Sequence, residues 1–209
     1  MTLVGSPNSP QSINNQIIIP NPMIQSKIDY VKNGPNDEFY TPTIAVNMVL
    51  PFIPSHVSGV WECTAVKDSK IVKVLRENGY SVIATHIEEG YDFLEFEPKD
   101  YDIIITNPPY SLKTQFLKRA YELGKPFMFL LPITTLEGVD RGRMFLTNGI
   151  QLLVPDTRFS FMANRKNGAW FQTSWFTWGL GLKNDLNFIP VHHQINEWNT
   201  NNNQIKMAA

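Results

Sequence analysis

Four consecutive residues, Asn107-Pro108-Pro109-Tyr110, carry the clearest chemistry in this chain. Two prolines remove two backbone donors and fix two φ angles, so the Pro108 carbonyl is left as an acceptor and the Asn107 side chain is held in one direction. An exocyclic amine conjugated into a ring or an amide is a poor nucleophile. Two acceptors on its N–H bonds favour a more pyramidal, more reactive nitrogen, and Asn107 Oδ1 with the Pro108 carbonyl is such a pair. Tyr110 adds a flat face on which a planar substrate can stack. Asn-Pro and Pro-Pro are also common loop dipeptides, so the tetrapeptide taken alone describes an ordinary turn equally well. Its setting distinguishes the two. It follows the apolar run Ile103-Ile104-Ile105-Thr106 and precedes a helical pattern from Leu112. Ligands of open parallel α/β sheets bind at that position, beyond the carboxyl ends of the strands.

The elements that must position this loop form two strand-helix-strand units. The first is a strand over residues 57–63, a helix over 69–78 closed by Gly79, and a strand over 81–85. The second is a strand over 101–106, a helix over 112–123 closed by Gly124, and a strand over 126–131. Ile103-Ile104-Ile105 and Phe127-Met128-Phe129-Leu130-Leu131 are continuous rather than alternating apolar runs, as central parallel strands covered on both faces require. The predicted fold class is therefore α/β, with a doubly wound, mostly parallel sheet. Ahead of it, Thr41-Pro42 opens a short helix whose Ile44, Ala45, Met48 and Val49 recur at helical spacing until Pro51. After it come a helix over 139–146, ended by Asn148-Gly149, and a strand over 150–154. Aromatic, β-rich stretches at 157–162 and 170–178 flank a basic loop and predict a C-terminal β-hairpin. Residues 1–36, rich in Ser, Asn, Gln and Pro, read as an irregular arm with Ile17-Ile18-Ile19 as a docking point. The domain is expected over 37–183, with a polar tail over 184–209.

Composition narrows the function classes. A chain of 209 residues with 43% apolar and 12% aromatic content builds one sizeable core. No apolar stretch approaches the roughly 20 residues that span a bilayer, and no export signal is visible at the N-terminus, so a cytoplasmic protein is expected. Cys63 is the lone cysteine and four scattered histidines give no zinc-ligand spacing, so no metal is expected. A net charge of -1 supplies no overall basic field, and any phosphate contact must come from local Lys and Arg groups.

Several stretches stand in a familiar order: Phe39-Tyr40-Thr41-Pro42, Val60-Trp61-Glu62, Asp92-Phe93-Leu94, and Asn107 to Tyr110 continued by Ser111-Leu112-Lys113 and Phe116-Leu117. From about Glu38 to Leu182 the chain resembles S-adenosylmethionine-dependent N6-adenine DNA methyltransferases, in particular the small versions of bacteriophages and prophages. The resemblance implies a Rossmann-like methyltransferase fold, S-adenosylmethionine as cofactor, methyl transfer to adenine N6 in DNA without a metal, and the host cytoplasm as location if phage-encoded. It assigns Asn107, Pro108, Pro109 and Tyr110 to catalysis. It assigns Phe39, Tyr40, Thr41, Pro42, Glu62, Thr64, Glu88, Asp92, Phe93 and Asn107 to the cofactor. An adenine in a duplex must be flipped from the stack, which calls for phosphate contacts. Lys113, Arg165 and Lys166 are the foremost candidates, with Lys118, Arg119, Arg141, Arg143 and Arg158 beside them. The Asn-Pro-Pro-Tyr loop is shared with RNA-adenine and protein-glutamine methyltransferases, so the acceptor stays open.

The family's first strand is followed by an acidic residue and two closely spaced glycines. Here the stretch reads Glu62-Cys63-Thr64-Ala65-Val66-Lys67-Asp68, with Val66 and Asp68 at the glycine positions. A β-branched residue is poorly suited to positive φ, and Asp68 reads as an N-cap for the helix that follows. His86 stands where an acidic residue would accept from the cofactor's ribose, with Glu88 as a substitute two positions on. These departures set an active enzyme with an unusual cofactor loop against a catalytically inactive relative that binds nucleic acid or protein. Cys63 reads as a small buried residue.

Overall fold

The computed structural model describes residues 41–159 and 172–192. Seven strands, β1 (Gly59–Glu62), β2 (Ser81–Ala84), β3 (Ile103–Thr106), β4 (Phe127–Pro132), β5 (Gln151–Pro155), β6 (Thr173–Trp178) and β7 (Leu186–Ile189), form one sheet in the order β2-β1-β3-β4-β6-β5-β7. The four strands of the two strand-helix-strand units pair in parallel. Strand β6 runs antiparallel to both β4 and β5, and β7 runs parallel to β5.

Alternate residues of the central strands feed two cores. Helices α1 (Thr43–Asn47) and α2 (Lys70–Glu77) cover one face, where Val46, Val49, Ile71 and Leu75 pack with Val60, Ile103, Ile105 and Met128. Helices α3 (Lys113–Leu123) and α4 (Val139–Asn148) cover the other, where Phe116, Leu117 and Ala120 pack with Trp61, Ile104, Phe127 and Phe129. The sheet is thus doubly wound, and the unbroken apolar runs of β3 and β4 are fully buried as burial on both faces demands. Trp175 on β6 donates Nε1–H to the Ala45 carbonyl at 2.9 Å, fastening α1 to the sheet. At the amino end of the central strands, Asp102 Oδ2 accepts from the backbone N–H of Ser58 (2.9 Å) and Gly59 (2.8 Å). These bonds hold its carboxyl below the usual range and tie β3 to β1.

Two expectations need correction at the C-terminal side. The β6 arm pairs with β5, Leu153 facing Trp175 across the ladder, and the described start of the other predicted arm, residues 157–159, is bend and loop rather than strand. Asp156 ends the strand by accepting from Val191 and His192 N–H through Oδ1 at 2.9 and 3.0 Å. The remainder of that predicted arm, and the basic loop after it, lie outside the described residues. The polar tail expected from Asn184 instead contains β7, whose residues 186–189 pair with 152–155. Polar groups here fasten the sheet instead of seeking water. Gln151 Nε2 donates to the Leu182 carbonyl at 2.9 Å, and Asn187 Nδ2 donates to the carbonyls of Asn184 (2.9 Å) and Leu152 (3.2 Å).

Candidate active site

Strand order locates the site. From β1 the chain moves outward to β2, then returns to β3 on the other side of β1 and continues to β4, so the order reverses between β1 and β3. The crevice outside the carboxyl ends of those two strands is where such sheets bind ligands. Glu62 ends β1 and Thr106 ends β3 there, followed by Thr64 and Asn107.

Glu62 is 1% exposed. Its Oε1 accepts from Thr106 Oγ1 at 2.5 Å, from Thr64 N–H at 3.0 Å and from Thr64 Oγ1 at 3.2 Å, while Ser69 Oγ reaches Oε2 at 3.5 Å. Burial raises its pKa from 4.5 to about 7 against the opposing pull of those donors. Thr64 and Thr106 hydroxyls stand 2.6 Å apart, and Thr64 Oγ1 lies 3.2 Å from the Asn107 carbonyl. One hydroxyl pair therefore joins the acidic end of β1 to the first residue of the proline loop. Neighbouring Cys63 is buried, and burial together with Glu62 pushes its thiol well above the ordinary value, which leaves it a small apolar residue.

In the proline loop, Asn107 Nδ2 donates to Thr41 Oγ1 at 3.1 Å, a contact across 66 residues. With the amide nitrogen turned to Thr41, Oδ1 is the atom the carboxamide presents as acceptor, the polarity that amine recognition needs. Pro108 is buried and Pro109 half-buried. Tyr110 is 7% exposed and packs within the α3 core, so its ring contributes to the wall of the loop as well as to any stacking surface. Lys113 turns its ammonium back onto the Tyr110 carbonyl at 2.9 Å, closing the turn into α3. Arg141 donates to the carbonyls of Thr135 and Glu137 and to Thr114 Oγ1, which ties it to α3 and the β4–α4 connection.

The loop after β1 treats its two glycine-like positions differently. Asp68 has φ 63, the left-handed region that glycine favours, whereas Val66 is not among the positive-φ residues. The chain thus makes a left-handed turn where the glycine pattern would place one, with an aspartate in it. The helix cap is Ser69 rather than Asp68: its side chain accepts from Val72 N–H at 3.4 Å. After β2, His86 Nδ1 accepts from Glu88 N–H at 3.3 Å, and Glu88 is exposed. Asp92 is buried and accepts from Leu94 N–H at 3.0 Å, organising a turn. Phe93, 2% exposed, stacks on Phe116 with ring centres 4.6 Å apart and lies 5.2 Å from Trp61. It is a core residue of the α3 face.

The structure therefore gathers Thr41, Glu62, Thr64 and Asn107 in one hydrogen-bonded group, whereas Phe93 packs in the α3 core. Phe39, Tyr40, Arg165 and Lys166 lie outside the described residues. Sequence reasoning missed Thr106 and Ser69 as partners of Glu62. A threonine ending an isoleucine run was the available signal for the first: Thr106 is fully buried, so its hydroxyl must have a partner. Among the described residues, no cluster of three His, Cys, Asp or Glu side chains is placed to hold a metal ion, and no helix is long and apolar enough to cross a membrane.

No family model and no curated protein matches the sequence. Solved structures do match. A type I restriction-modification system methyltransferase subunit from Streptococcus thermophilus aligns at 16% identity and TM-score 0.49, covering 73% of this chain and 47% of its own. A release-factor-specific protein-(glutamine-N5) methyltransferase from Alicyclobacillus acidocaldarius aligns at 17% identity and TM-score 0.39, covering 69% of this chain and 97% of its own. The fold is Rossmann-like, of the methyltransferase type. Strand order and the antiparallel β6 beside β4 carry that statement. The chain spans about half the length of the restriction-modification subunit.

Proposed function

We propose that this chain transfers a methyl group from S-adenosylmethionine to the exocyclic N6 of adenine in DNA. The observation that carries the proposal is the place and orientation of Asn107. It stands at the reversal of strand order, its amide nitrogen is bonded to Thr41, and its carbonyl is joined through Thr64 and Thr106 to Glu62. Asn107 Oδ1 and the Pro108 carbonyl accept the two N–H bonds of the amine and orient its lone pair outward. S-adenosylmethionine supplies the electrophilic methyl group. Thr41, Glu62, Thr64 and Asn107 are the described residues grouped to hold it, with Pro42 next to Thr41 and with Glu88 and Asp92 on the loop beyond β2. The left-handed turn at Asp68 supports a fit, because the backbone follows a glycine-type path without glycine. Phe93, stacked on Phe116, belongs to the core that backs the α3 face. Lys113, which closes the proline loop, and Arg165 and Lys166 are proposed for DNA phosphates, with base flipping bringing the adenine into the loop.

A second reading, a methyltransferase-like protein that binds nucleic acid or protein without transferring methyl, draws on His86. Its Nδ1 takes a backbone N–H from Glu88, where the family would present a carboxylate to ribose. Incubation with methyl-tritiated S-adenosylmethionine and unmethylated DNA, RNA or a glutamine-bearing protein separates the readings. Label in DNA adenine that disappears with Asn107→Ala supports the proposal. Label confined to RNA or protein reassigns the acceptor, and no label in any of them favours the binding protein.

A further inference from the structure

The line of oxygens from Glu62 to Asn107 has a proton count that the ionised carboxylate cannot complete. Its three contacts are Glu62 Oε1 to Thr106 Oγ1 at 2.5 Å, Thr106 Oγ1 to Thr64 Oγ1 at 2.6 Å, and Thr64 Oγ1 to the Asn107 carbonyl at 3.2 Å. Each needs one proton. Two hydroxyls supply two, and a carbonyl supplies none. A proton on Glu62 Oε1 provides the third, and the line that fills all three contacts then runs carboxyl to Thr106, Thr106 to Thr64, Thr64 to the Asn107 carbonyl. When Glu62 is ionised, Thr106 donates to the carboxylate and the Thr64 proton is drawn to Thr106 or directly to Glu62 Oε1, 3.2 Å away. The Asn107 carbonyl then loses its hydroxyl donor.

We infer that Thr64 is a positioning residue whose hydroxyl gives its proton to the proline loop when Glu62 is protonated and withdraws it when Glu62 is charged. The inference rests on the reading of Asn107 as the acceptor-site residue only for its consequence in catalysis; the relay itself follows from the distances. The carbonyl concerned belongs to the Asn107–Pro108 peptide, so the donor changes both the polarisation of that amide and the hold on the loop carrying the Asn107 side chain. Glu62 is suited to titrate in the neutral range, because burial brings its pKa to about 7. The titratable group beside it is Cys63, the next residue after β1, whose thiol Glu62 helps to push up; the other groups that meet it are the hydroxyls of Thr64, Thr106 and Ser69 and the Thr64 N–H. A ligand that brings a positive charge to the end of β1 would ionise Glu62 and so be sensed at the proline loop.

Carbon-13 NMR of the full chain tests this without requiring turnover. The Glu62 carboxyl and Asn107 carbonyl resonances are followed from pH 5 to 9 (about two units either side of the expected midpoint) in wild type, Thr64→Val, Thr64→Ser and Glu62→Gln. The two wild-type resonances are expected to shift with one shared midpoint. Thr64→Val, which keeps the shape, is expected to leave Asn107 flat while Glu62 still titrates, and Thr64→Ser to restore the coupling. Glu62→Gln should be flat at Asn107 and serves if Thr64→Val does not fold. An Asn107 carbonyl that stays flat through the wild-type Glu62 titration, or that co-titrates unchanged in Thr64→Val, overturns the relay. If the methylation reading alone is wrong, no variant transfers methyl but the shared titration persists. If both hold, Thr64→Val lowers kcat about tenfold, the loss of one ordinary hydrogen bond, and Thr64→Ser recovers it.

Discussion

Replacing Asp68 by glycine should leave the protein as stable as before or slightly more so, while the same change at Val66 should weaken it. Asp68 sits at φ 63, where an L-residue is destabilised by roughly 1–2 kcal/mol relative to glycine. Glycine returns about 0.5–1 kcal/mol of that through its greater freedom in the unfolded chain. The net gain is about 0.5 kcal/mol, and the exposed side chain has little packing to lose. Val66 has no positive φ, so glycine there brings the entropic loss without relief of strain. It also gives up a half-buried isopropyl group, for a combined loss of roughly 2 kcal/mol. In a chain of 209 residues each kcal/mol moves the midpoint by about 2–4 °C. Thermal unfolding by circular dichroism should therefore place Asp68→Gly about 1–2 °C above wild type and Val66→Gly about 4–8 °C below it. If Asp68→Gly falls as far as Val66→Gly, the left-handed turn is not the strained element between β1 and α2, and the glycine-type path proposed for it is wrong.

Other outcomes follow from the same contacts. Glu62 holds its proton more tightly when folded, since burial raises its pKa from 4.5 to about 7. Between those values the native state binds the extra proton, so stability is full below about pH 4.5 and declines as pH rises through 7; the shift corresponds to about 3 kcal/mol. Urea unfolding at pH 5 and pH 8 should show this decline in wild type and a smaller one in Glu62→Gln. Gly59→Ala should destabilise by about 1–3 kcal/mol, because a Cβ there would meet the Asp100 carbonyl oxygen at 3.0 Å; an unchanged urea midpoint would contradict the tight β1–β3 entry. Asn107→Ala should reduce methyl transfer at least about 100-fold at saturating cofactor, read as label incorporated.

The sequence made the centre of the molecule legible because full burial leaves a strong pattern. Ile103-Ile104-Ile105-Thr106 could only be a covered strand, and the proline loop after it could only stand at the sheet's carboxyl edge. Helices α2 and α3 were visible within a residue or two through their apolar spacing and closing Gly79 and Gly124. Strand β7 was hidden because it lies at the sheet edge with its larger side chains outward: Leu186 is 49% and Phe188 71% exposed. Its pairing is braced by Asn187, whose side chain reads as tail composition until the strand it serves is known. In the site, Asn107 and Glu62 were readable as chemistry-bearing types. The hydroxyl line through Thr106 was legible only in its first member: a threonine ending a buried isoleucine run needs a partner, but only three-dimensional proximity shows that the partners are Glu62 and Thr64. Phe93 was expected at the cofactor from the resemblance of Asp92-Phe93-Leu94; its packing against Phe116 and Trp61 was not legible in the sequence.

Calorimetric titration of the full chain with S-adenosylmethionine bears most directly on the claim that the turn at Asp68 and the group at Glu62 still form a cofactor site. Saturable binding of one cofactor per chain is the expected result. No heat and no saturation up to millimolar cofactor would contradict it.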